Sequence, residues 1–197
     1  MKTDFNSDEM SRRDIYRMLT AVVVPRPIAW VATTSTSGVD NLAPHSFFTV
    51  ASVDPPIIQF TSVGVKDSLT NIEATKEFVV NMAPTSLIDS VNLTGAACPP
   101  EISEFDIADL AKEQSLTVTA PRVAESPVSL ECVLHEIIPM GNCHLVFGKV
   151  THAVVETSML EGNHPVISKM GPLSRLGLDE WGTSLNVQEL KRIRVLD

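Results

Sequence analysis

Positive charge is scarce in this sequence of 197 residues, which has 15 Lys and Arg against 24 Asp and Glu and a formal net charge of −9. Binding to nucleic-acid backbones needs a basic face, and adsorption to an anionic membrane needs basic residues near its surface. Apolar runs are also short, and none has the roughly 20 residues that a membrane-spanning helix requires. We therefore expect neither nucleic acid nor a membrane among the partners.

Cysteine is rare as well, with Cys98, Cys132 and Cys143 and no C-x-x-C pair. An odd number without that spacing predicts neither a disulfide framework nor a structural zinc site. The N-terminal residues MKTDFNSDEMSRRD mix both signs of charge and lack an apolar segment, so they do not indicate a secretory signal. We therefore expect a cytoplasmic protein with three reduced, mostly buried thiols.

Motifs that would identify a chemistry are missing too. The sequence has no Gly-x-Gly-x-x-Gly, no P-loop pattern and no Gly-x-Ser-x-Gly, so it lacks the usual signatures of a dinucleotide fold, a phosphate cradle and a nucleophile elbow. Its five histidines are isolated, and His144 and His152 lie too far apart along one predicted strand to share a metal ion. We predict no metal site and name no catalytic residue.

What the sequence does have is a series of short β runs with turn residues between them. The predicted strands are Ile28–Thr34, Ser46–Ala51, Ile57–Thr61, Glu77–Met82, Val128–Ile138 and His144–Val155, with a hairpin turn at Met140–Asn142. Such runs are typical of an antiparallel barrel or sandwich. The sequence therefore predicts a mainly β protein, with residues 1–197 as a single domain.

Short helices are predicted around these strands. Apolar residues at helical spacing between Ile15 and Val22 predict a first helix, with Asp8 or Ser11 as its N-cap. Further helices are predicted to begin near Lys66 and near Pro84. Residues 98–123 have no clear period, and residues 187–196 are apolar at regular spacing.

Between Val24 and Ser68 the sequence combines several motifs that are individually weak. They are V-P-R-P-I-A-W-V-A-T-T, N-L-A-P-H-S-F-F, D-P-P-I-I-Q-F and K-D-S-L-T-N-I, followed downstream by E-F-V-V-N, E-S-P-V-S-L-E-C, L-V-F-G-K-V and R-L-G. In this order and spacing the sequence closely resembles the flavin reductase-like family over most of its length. The resemblance implies an FMN-binding antiparallel split β-barrel, mainly β with short peripheral helices.

The resemblance also implies which residues contact the flavin. They are Arg26, Pro27, Thr33, Thr34, Asn41, Ala43, His45, Ser46, Ser62, Lys66, Asp67 and Ser68. Two of them have other interpretations, since Arg26 could form a surface ion pair and Asp67 could be a helix cap. After R-L-G the family commonly has a second glycine and a tyrosine, where this sequence has Leu178 and Trp181.

The chemistry of several of these residues suits a riboflavin phosphate independently. Lys66, Asp67 and Ser68 place a cation, a hydroxyl group and main-chain N–H groups at a predicted helix N-terminus, which favours phosphate. The segment Asn41–Ser46 contains a proline and is predicted to be non-regular, so its main-chain groups could bond the uracil-like edge of the flavin ring. His45 would lie near that ring and could change charge near neutral pH.

The function that follows from the resemblance is an NAD(P)H-dependent flavin reductase, in which the nicotinamide passes hydride to flavin N5. FMN is the expected cofactor, FAD is possible, and NAD(P)H is the electron donor. The resemblance further implies a homodimer and a monooxygenase or other electron acceptor as partner. The alternative is a non-catalytic FMN-binding electron carrier or sensor that has no nicotinamide site.

Overall fold

The computed structural model describes residues 1–192. Its strands are β1 (Arg26–Pro27), β2 (Ala29–Thr34), β3 (Asp40–His45), β4 (Phe48–Val53), β5 (Pro56–Val63), β6 (Glu77–Met82), β7 (Lys112–Glu113), β8 (Arg122–Val123), β9 (Val128–Met140), β10 (Cys143–Val155), β11 (Leu160–Glu161), β12 (His164–Pro165), β13 (Ser174–Arg175) and β14 (Trp181–Gly182). Its helices are α1 (Arg12–Val22), α2 (Asp67–Thr75), α3 (Ile88–Leu93), α4 (Glu104–Ile107) and α5 (Ile167–Met170), with 3₁₀ turns at Ser7–Glu9, Thr85–Leu87 and Thr157–Met159.

Seven of the strands form one antiparallel sheet in the order β3-β2-β6-β9-β10-β5-β4. The order ends at β3 and β4, which are consecutive in the chain but do not pair with each other in the part of the chain that is described. The sheet is therefore an open barrel, and the predicted mainly β, antiparallel split barrel is confirmed. Small sheets of two or three short strands and the five helices surround it.

Alternate residues of the strands pack on opposite faces of the large sheet, as the period of a strand requires. Trp30 and Val79 belong to an apolar cluster on one face, while Val31 and Val80 belong to a cluster on the other face. Helix α2 adds its buried apolar side chains to the second cluster, which also contains Phe60 and thereby holds the helix against the sheet. This packing fixes where α2 begins, and the beginning of α2 is central to the site described below.

Gly148 lies beside the second cluster, against the ring of Phe78. A Cβ atom at this position would lie 2.2 Å from Cζ of Phe78 and 3.1 Å from Cβ of Cys132. The ring of Phe78 in turn contacts Phe60 edge-on, with 5.5 Å between the ring centroids. Only glycine fits at this position, because Phe78 occupies the volume that any larger side chain would need.

Helix α1 follows the predicted pattern in its boundaries but not in its burial. Its N-cap is Ser11, whose hydroxyl oxygen accepts a hydrogen bond from the main-chain N–H of Asp14, so Ser11 rather than Asp8 caps the helix. The apolar side of the helix is largely exposed, with Leu19 at 49% and Val22 at 65% of full exposure. A helix with this apolar spacing usually buries that side, and here it lies open.

Two predictions about the segments near the site are wrong. Asn41–His45 is not irregular, because β3 pairs with β2 at every position from Asp40 to His45, and only Ser46 of the predicted non-regular segment lies outside the strand. Pro44 is accommodated because β3 is an edge strand, where a missing N–H disrupts no ladder on the open side. Asp67 does not cap α2, since the N-cap is Lys66 and no side-chain hydrogen bond caps this end of the helix.

Other expectations have mixed outcomes. The thiols are free as predicted, but Cys132 is buried while Cys98 and Cys143 are half-buried, so the expectation of mostly buried thiols is wrong. Within residues 1–192, no helix is long and apolar enough to cross a membrane. Residues 187–192 belong to no helix or strand, and the rest of the apolar stretch predicted at 187–196 lies outside the described residues.

Candidate functional site

A recess of about 340 Å³ lies between the outer edge of β3, the beginning of α2 and the loop 94–98. We call it the α2 recess. Half of the twelve residues predicted to contact flavin line it, and the structure therefore brings together residues from two separate sequence motifs. They are Asn41, Ala43, His45, Lys66, Asp67 and Ser68.

The beginning of α2 offers unpaired donors to this recess. The first main-chain N–H groups of a helix have no partner within the helix, and no side chain caps this one. Lys66, the N-cap residue, is exposed and lines the recess. A cation and main-chain N–H groups at a helix N-terminus together form an arrangement that binds anions such as phosphate.

Behind these donors lies a buried hydrogen-bonded network. The hydroxyl of Ser68 donates to Oδ1 of Asn41 at 2.9 Å, and Nε2 of His45 lies 3.5 Å from Oγ of Ser68. The side-chain amide of Asn41 donates to both carboxylate oxygens of Glu104, at 2.9 Å each. Thr33 donates to Oδ1 of Asn41 at 3.4 Å. The polar atoms of Asn41 and Ser68 are thus bonded to their neighbours and form the wall of the recess.

His45 is almost fully buried, at 7% exposure, and its ring packs on that of Phe60 with 4.7 Å between the centroids. Burial, together with the positive charge of Lys66, lowers the pKa of His45 from 6.5 to about 4. His45 is therefore neutral at pH 7, and the prediction that it could change charge near neutral pH is wrong. The physical reason is desolvation, which disfavours the charged imidazolium.

Arg26 does not line the α2 recess, and its burial is unlike the surface ion pair that was one interpretation of its sequence position. Its guanidinium donates to the main-chain carbonyl groups of Thr20, Val23 and Leu176, and only 7% of the residue is exposed. It thus joins the end of α1 to the segment around Leu176, and it forms no ion pair with any residue between 1 and 192. Together with Pro27 it borders a separate recess of about 430 Å³.

Three further predicted residues are bonded to the neighbouring strand or turn. Thr34 donates to the carboxylate of Asp40 at 2.7 Å, and Ser62 donates to the carbonyl of Gly64 at 2.9 Å. Thr33 is buried in the network behind the recess. Of the two neighbouring threonines, only Thr33 belongs to that network, because successive residues of a strand point to opposite sides.

A second recess of about 480 Å³ adjoins the α2 recess and shares Pro44, Gly95 and Ala96 with it. We call it the Trp181 recess. It is lined by Ser46, which was also predicted to contact flavin, and by Trp181. The guanidinium of Arg175 stacks on the Trp181 ring at 4.4 Å from its centroid. The two recesses give an elongated surface with donors at one end and an aromatic ring at the other.

Sequence reasoning missed Glu104 and the loop 94–98. Glu104 is only 5% exposed, and it also accepts a hydrogen bond from the main-chain N–H of Leu42 at 3.0 Å. Both features lie in or beside residues 98–123, whose sequence has no clear period. No signal in the sequence could have placed Glu104 next to Asn41, because 63 positions separate them.

Metal chemistry has no support in the described residues. Residues 1–192 contain no group of three or more His, Cys, Asp or Glu side chains that could hold a metal ion.

Comparison with known proteins identifies the family. The model of the flavin reductase like domain matches residues 21–171, and the chain therefore belongs to the flavin reductase-like family. The resemblance noted in the sequence is confirmed, and with it a flavin-related oxidoreductase. The matched residues include the α2 recess and the network behind it.

Solved structures with the same fold support this assignment. Nitrilotriacetate monooxygenase component B from Bacillus cereus is 31% identical, with a TM-score of 0.93 over 96% of this chain and 99% of that one. The 2-nitrobenzoate 2-nitroreductase NbaA from Pseudomonas fluorescens is 27% identical, with a TM-score of 0.91 over 99% of each chain. A protein described as a flavin reductase with a split barrel domain, from Shewanella frigidimarina, is 18% identical, with a TM-score of 0.85 over 98% of this chain and 100% of that one, and shows the fold alone.

Proposed function

We propose that this protein binds FMN and acts as a flavin reductase, in which NAD(P)H passes hydride to the flavin. The observation that carries the proposal is the α2 recess, where Lys66 and the uncapped N-terminus of α2 present donors next to a buried polar wall. Membership of the flavin reductase-like family indicates that the ligand is a flavin. The flavin, when bound, supplies the hydride chemistry, and the chain orients it and excludes water.

The phosphate of FMN is proposed to bind at the beginning of α2. Lys66 would supply the positive charge, and the first main-chain N–H groups of the helix, beginning at Asp67, would supply hydrogen bonds. The Ser68 hydroxyl already donates to Asn41, so we assign the anion contact at Ser68 to its main chain. Arg26, whose guanidinium is bonded to carbonyl groups, is left out of the phosphate site.

The flavin ring is proposed to extend from the α2 recess into the Trp181 recess. Ala43, Pro44 and Ser46 would line the path between them, since Pro44 belongs to both recesses. Trp181, stacked under Arg175, offers a flat aromatic surface to a planar ring. In this proposal, Trp181 takes the place of the tyrosine that the family commonly has in this part of the chain.

The phosphate assignment can be tested by titrating the protein with FMN and with riboflavin, which lacks the phosphate. Lys66→Met should weaken FMN binding about tenfold, the size expected for one charge-assisted hydrogen bond, and leave riboflavin binding unchanged. Lys76→Met is the matched control, because Lys76 is the C-cap at the opposite end of α2. Equal losses for FMN and riboflavin would contradict the assignment, and a wild-type protein that takes up neither would overturn the flavin proposal. The same titration with FAD tests the preference for FMN.

The reductase activity is tested by mixing the FMN-loaded protein with NADH or NADPH without oxygen. Bleaching of the flavin absorption band within the mixing experiment supports hydride transfer. A band that stays unchanged with both nucleotides would assign the protein as an FMN-binding carrier or sensor. The Bacillus cereus protein is a monooxygenase component by name, which supports a monooxygenase as the acceptor that is supplied with reduced flavin.

We also propose that the protein is a homodimer. The exposed apolar side of α1 supports this, since Leu19 lines two recesses, of about 610 and 430 Å³, that border β5 and the segment before β4. Apolar surface of this kind is typical of protein interfaces. Light scattering at micromolar concentration should give twice the chain mass of 21.4 kDa, and a monomeric mass would contradict the proposal.

A further inference from the structure

Glu104 is a buried carboxylate with no assigned role. It is 5% exposed, and no Lys or Arg among residues 1–192 pairs with it. Within the described residues, the carboxylate accepts hydrogen bonds only from donors on β3, which are the main-chain N–H of Leu42 and the side-chain amide of Asn41. A carboxylate that is buried beside a ligand recess and satisfied entirely by the recess wall is placed to control that wall.

The first consequence is the orientation of the Asn41 amide. Its Nδ2 lies 2.9 Å from each oxygen of Glu104. The opposite orientation would place Oδ1 of Asn41 at the same distance from two carboxylate oxygens, which would repel it. Glu104 therefore directs Oδ1 of Asn41 towards Ser68.

The second consequence concerns the single proton of the Ser68 hydroxyl. It is donated to Oδ1 of Asn41 at 2.9 Å, so Oγ of Ser68 presents only lone pairs to Nε2 of His45 at 3.5 Å. A neutral His45 has one ring proton, and the main-chain carbonyl of Thr61 competes for it. With its proton on the other nitrogen, Nε2 of His45 would face the lone pairs of Ser68.

We infer that Glu104 is a positioning residue that sets the direction of the hydrogen-bond chain from His45 through Ser68 and Asn41, and thereby holds the His45 proton on Nε2. Every donor in this chain points towards the carboxylate. Because His45 and Asn41 line the α2 recess, Glu104 fixes the donor and acceptor pattern that a ligand meets there. The consequence for flavin affinity rests on the proposed function, whereas the direction of the chain does not.

Glu104→Gln reverses the chain without changing its shape. The main-chain N–H of Leu42 keeps the glutamine oxygen at the position of Oε2, so the new amide group takes the position of Oε1 and faces the side-chain amide of Asn41. Two amide donors would repel each other there, so Asn41 turns, presents Oδ1 to the glutamine amide away from the glutamine oxygen, and presents Nδ2 to Ser68. Ser68 then donates to Nε2 of His45, and the ring proton moves to Nδ1, where the Thr61 carbonyl accepts it. The His45 ring stays neutral throughout. His45, Ser68 and Asn41 together keep the same number of protons, and only the positions of those protons change.

The experiment is the determination of the His45 tautomer by ¹H–¹⁵N NMR at pH 7.5, without flavin. We expect the Nε2–H form in the wild type, the Nδ1–H form in Glu104→Gln, and the wild-type pattern in Glu101→Gln. The last variant is the matched control, since Glu101 is an exposed carboxylate three residues away. An Nδ1–H form in the wild type, or an unchanged tautomer in a folded Glu104→Gln protein, would overturn the inference.

A second variant keeps the test decisive if Glu104→Gln does not fold. Ser68→Ala removes the acceptor of the Nε2 proton while Glu104 remains. The Thr61 carbonyl should then accept the ring proton, and His45 should change to the Nδ1–H form. An unchanged Nε2–H form would contradict the chain. In a parallel FMN titration, Glu104→Gln should bind about tenfold more weakly, as for one lost hydrogen bond, and Glu101→Gln should match the wild type. If the wild type takes up no FMN, the proposed function fails and the tautomer still decides the inference.

Discussion

The burial of His45 predicts a specific pH dependence of stability. The pKa of His45 is lowered from 6.5 to about 4 by burial and by Lys66. Between these values the unfolded chain binds a proton that the folded chain does not, so the free energy of unfolding decreases as the pH falls from 6.5 towards 4. The full difference corresponds to about 3 kcal/mol, and about 2.5 kcal/mol of it should be lost by pH 4.5.

The measurement compares the wild type with His45→Asn, which has no ionisable ring. Urea denaturation at a series of pH values from 7.5 to 4.5 gives the free energy of unfolding of each protein. Carboxylates titrate in both proteins, so the difference between the two curves isolates His45. We expect the wild type to lose about 2.5 kcal/mol more than the variant over this range. Parallel curves would refute the reasoning, because they would mean that His45 is as easily protonated in the folded state as in the unfolded one.

Two further predictions concern parts of the fold that hold the sheet together. Gly148→Ala should lower the free energy of unfolding by about 1–3 kcal/mol, because the added Cβ would overlap the ring of Phe78, which cannot move without displacing its neighbours. Thermal denaturation measures this, and an unchanged midpoint temperature would contradict the prediction. Burial alone would raise the pKa of Glu131, but hydrogen bonds from Leu116 and Thr117 hold it below its ordinary value. Glu131→Gln should therefore lower the free energy of unfolding by about 2 kcal/mol at pH 7, and this difference from the wild type should shrink as the pH falls below about 4.5. A difference in the free energy of unfolding that does not depend on pH would contradict the role of the charge.

The strands whose side chains alternate between two apolar faces were predictable from the sequence. Residues Glu77–Met82 form a strand with the predicted boundaries, and the two long strands predicted at 128–138 and 144–155 form the hairpin of β9 and β10. Here the period of two and the content of β-branched residues agree with the tertiary packing. Strand β3 was missed because Pro44 indicates irregular structure when its position in the sheet is unknown. At the edge of a sheet the same proline is harmless, and only the strand order could show that β3 is an edge.

The candidate site was predictable where its residues are contiguous in the chain. The motif at Lys66–Ser68 indicated an anion site at a helix N-terminus, and the helix begins there, although one position away from the expected cap. The roles of individual side chains could not be predicted, because they depend on partners that are distant in sequence. Ser68 donates to Asn41 across 27 positions, and Arg26 bonds to Leu176 across 150. Burial also changed the chemistry of His45, whose residue type alone suggested titration near neutral pH.

The outer edge of β3 has a consequence for the behaviour of the protein at high concentration. An open strand edge normally presents main-chain N–H groups that a strand from another molecule can pair with, which leads to aggregation. On the open side of β3, the N–H of Leu42 is already bonded to Glu104, and two residues later Pro44 has no N–H to offer. An incoming strand would find no ladder of donors between these positions. The edge that borders the α2 recess can therefore stay open while it resists strand addition, which protects the protein from polymerising through this edge.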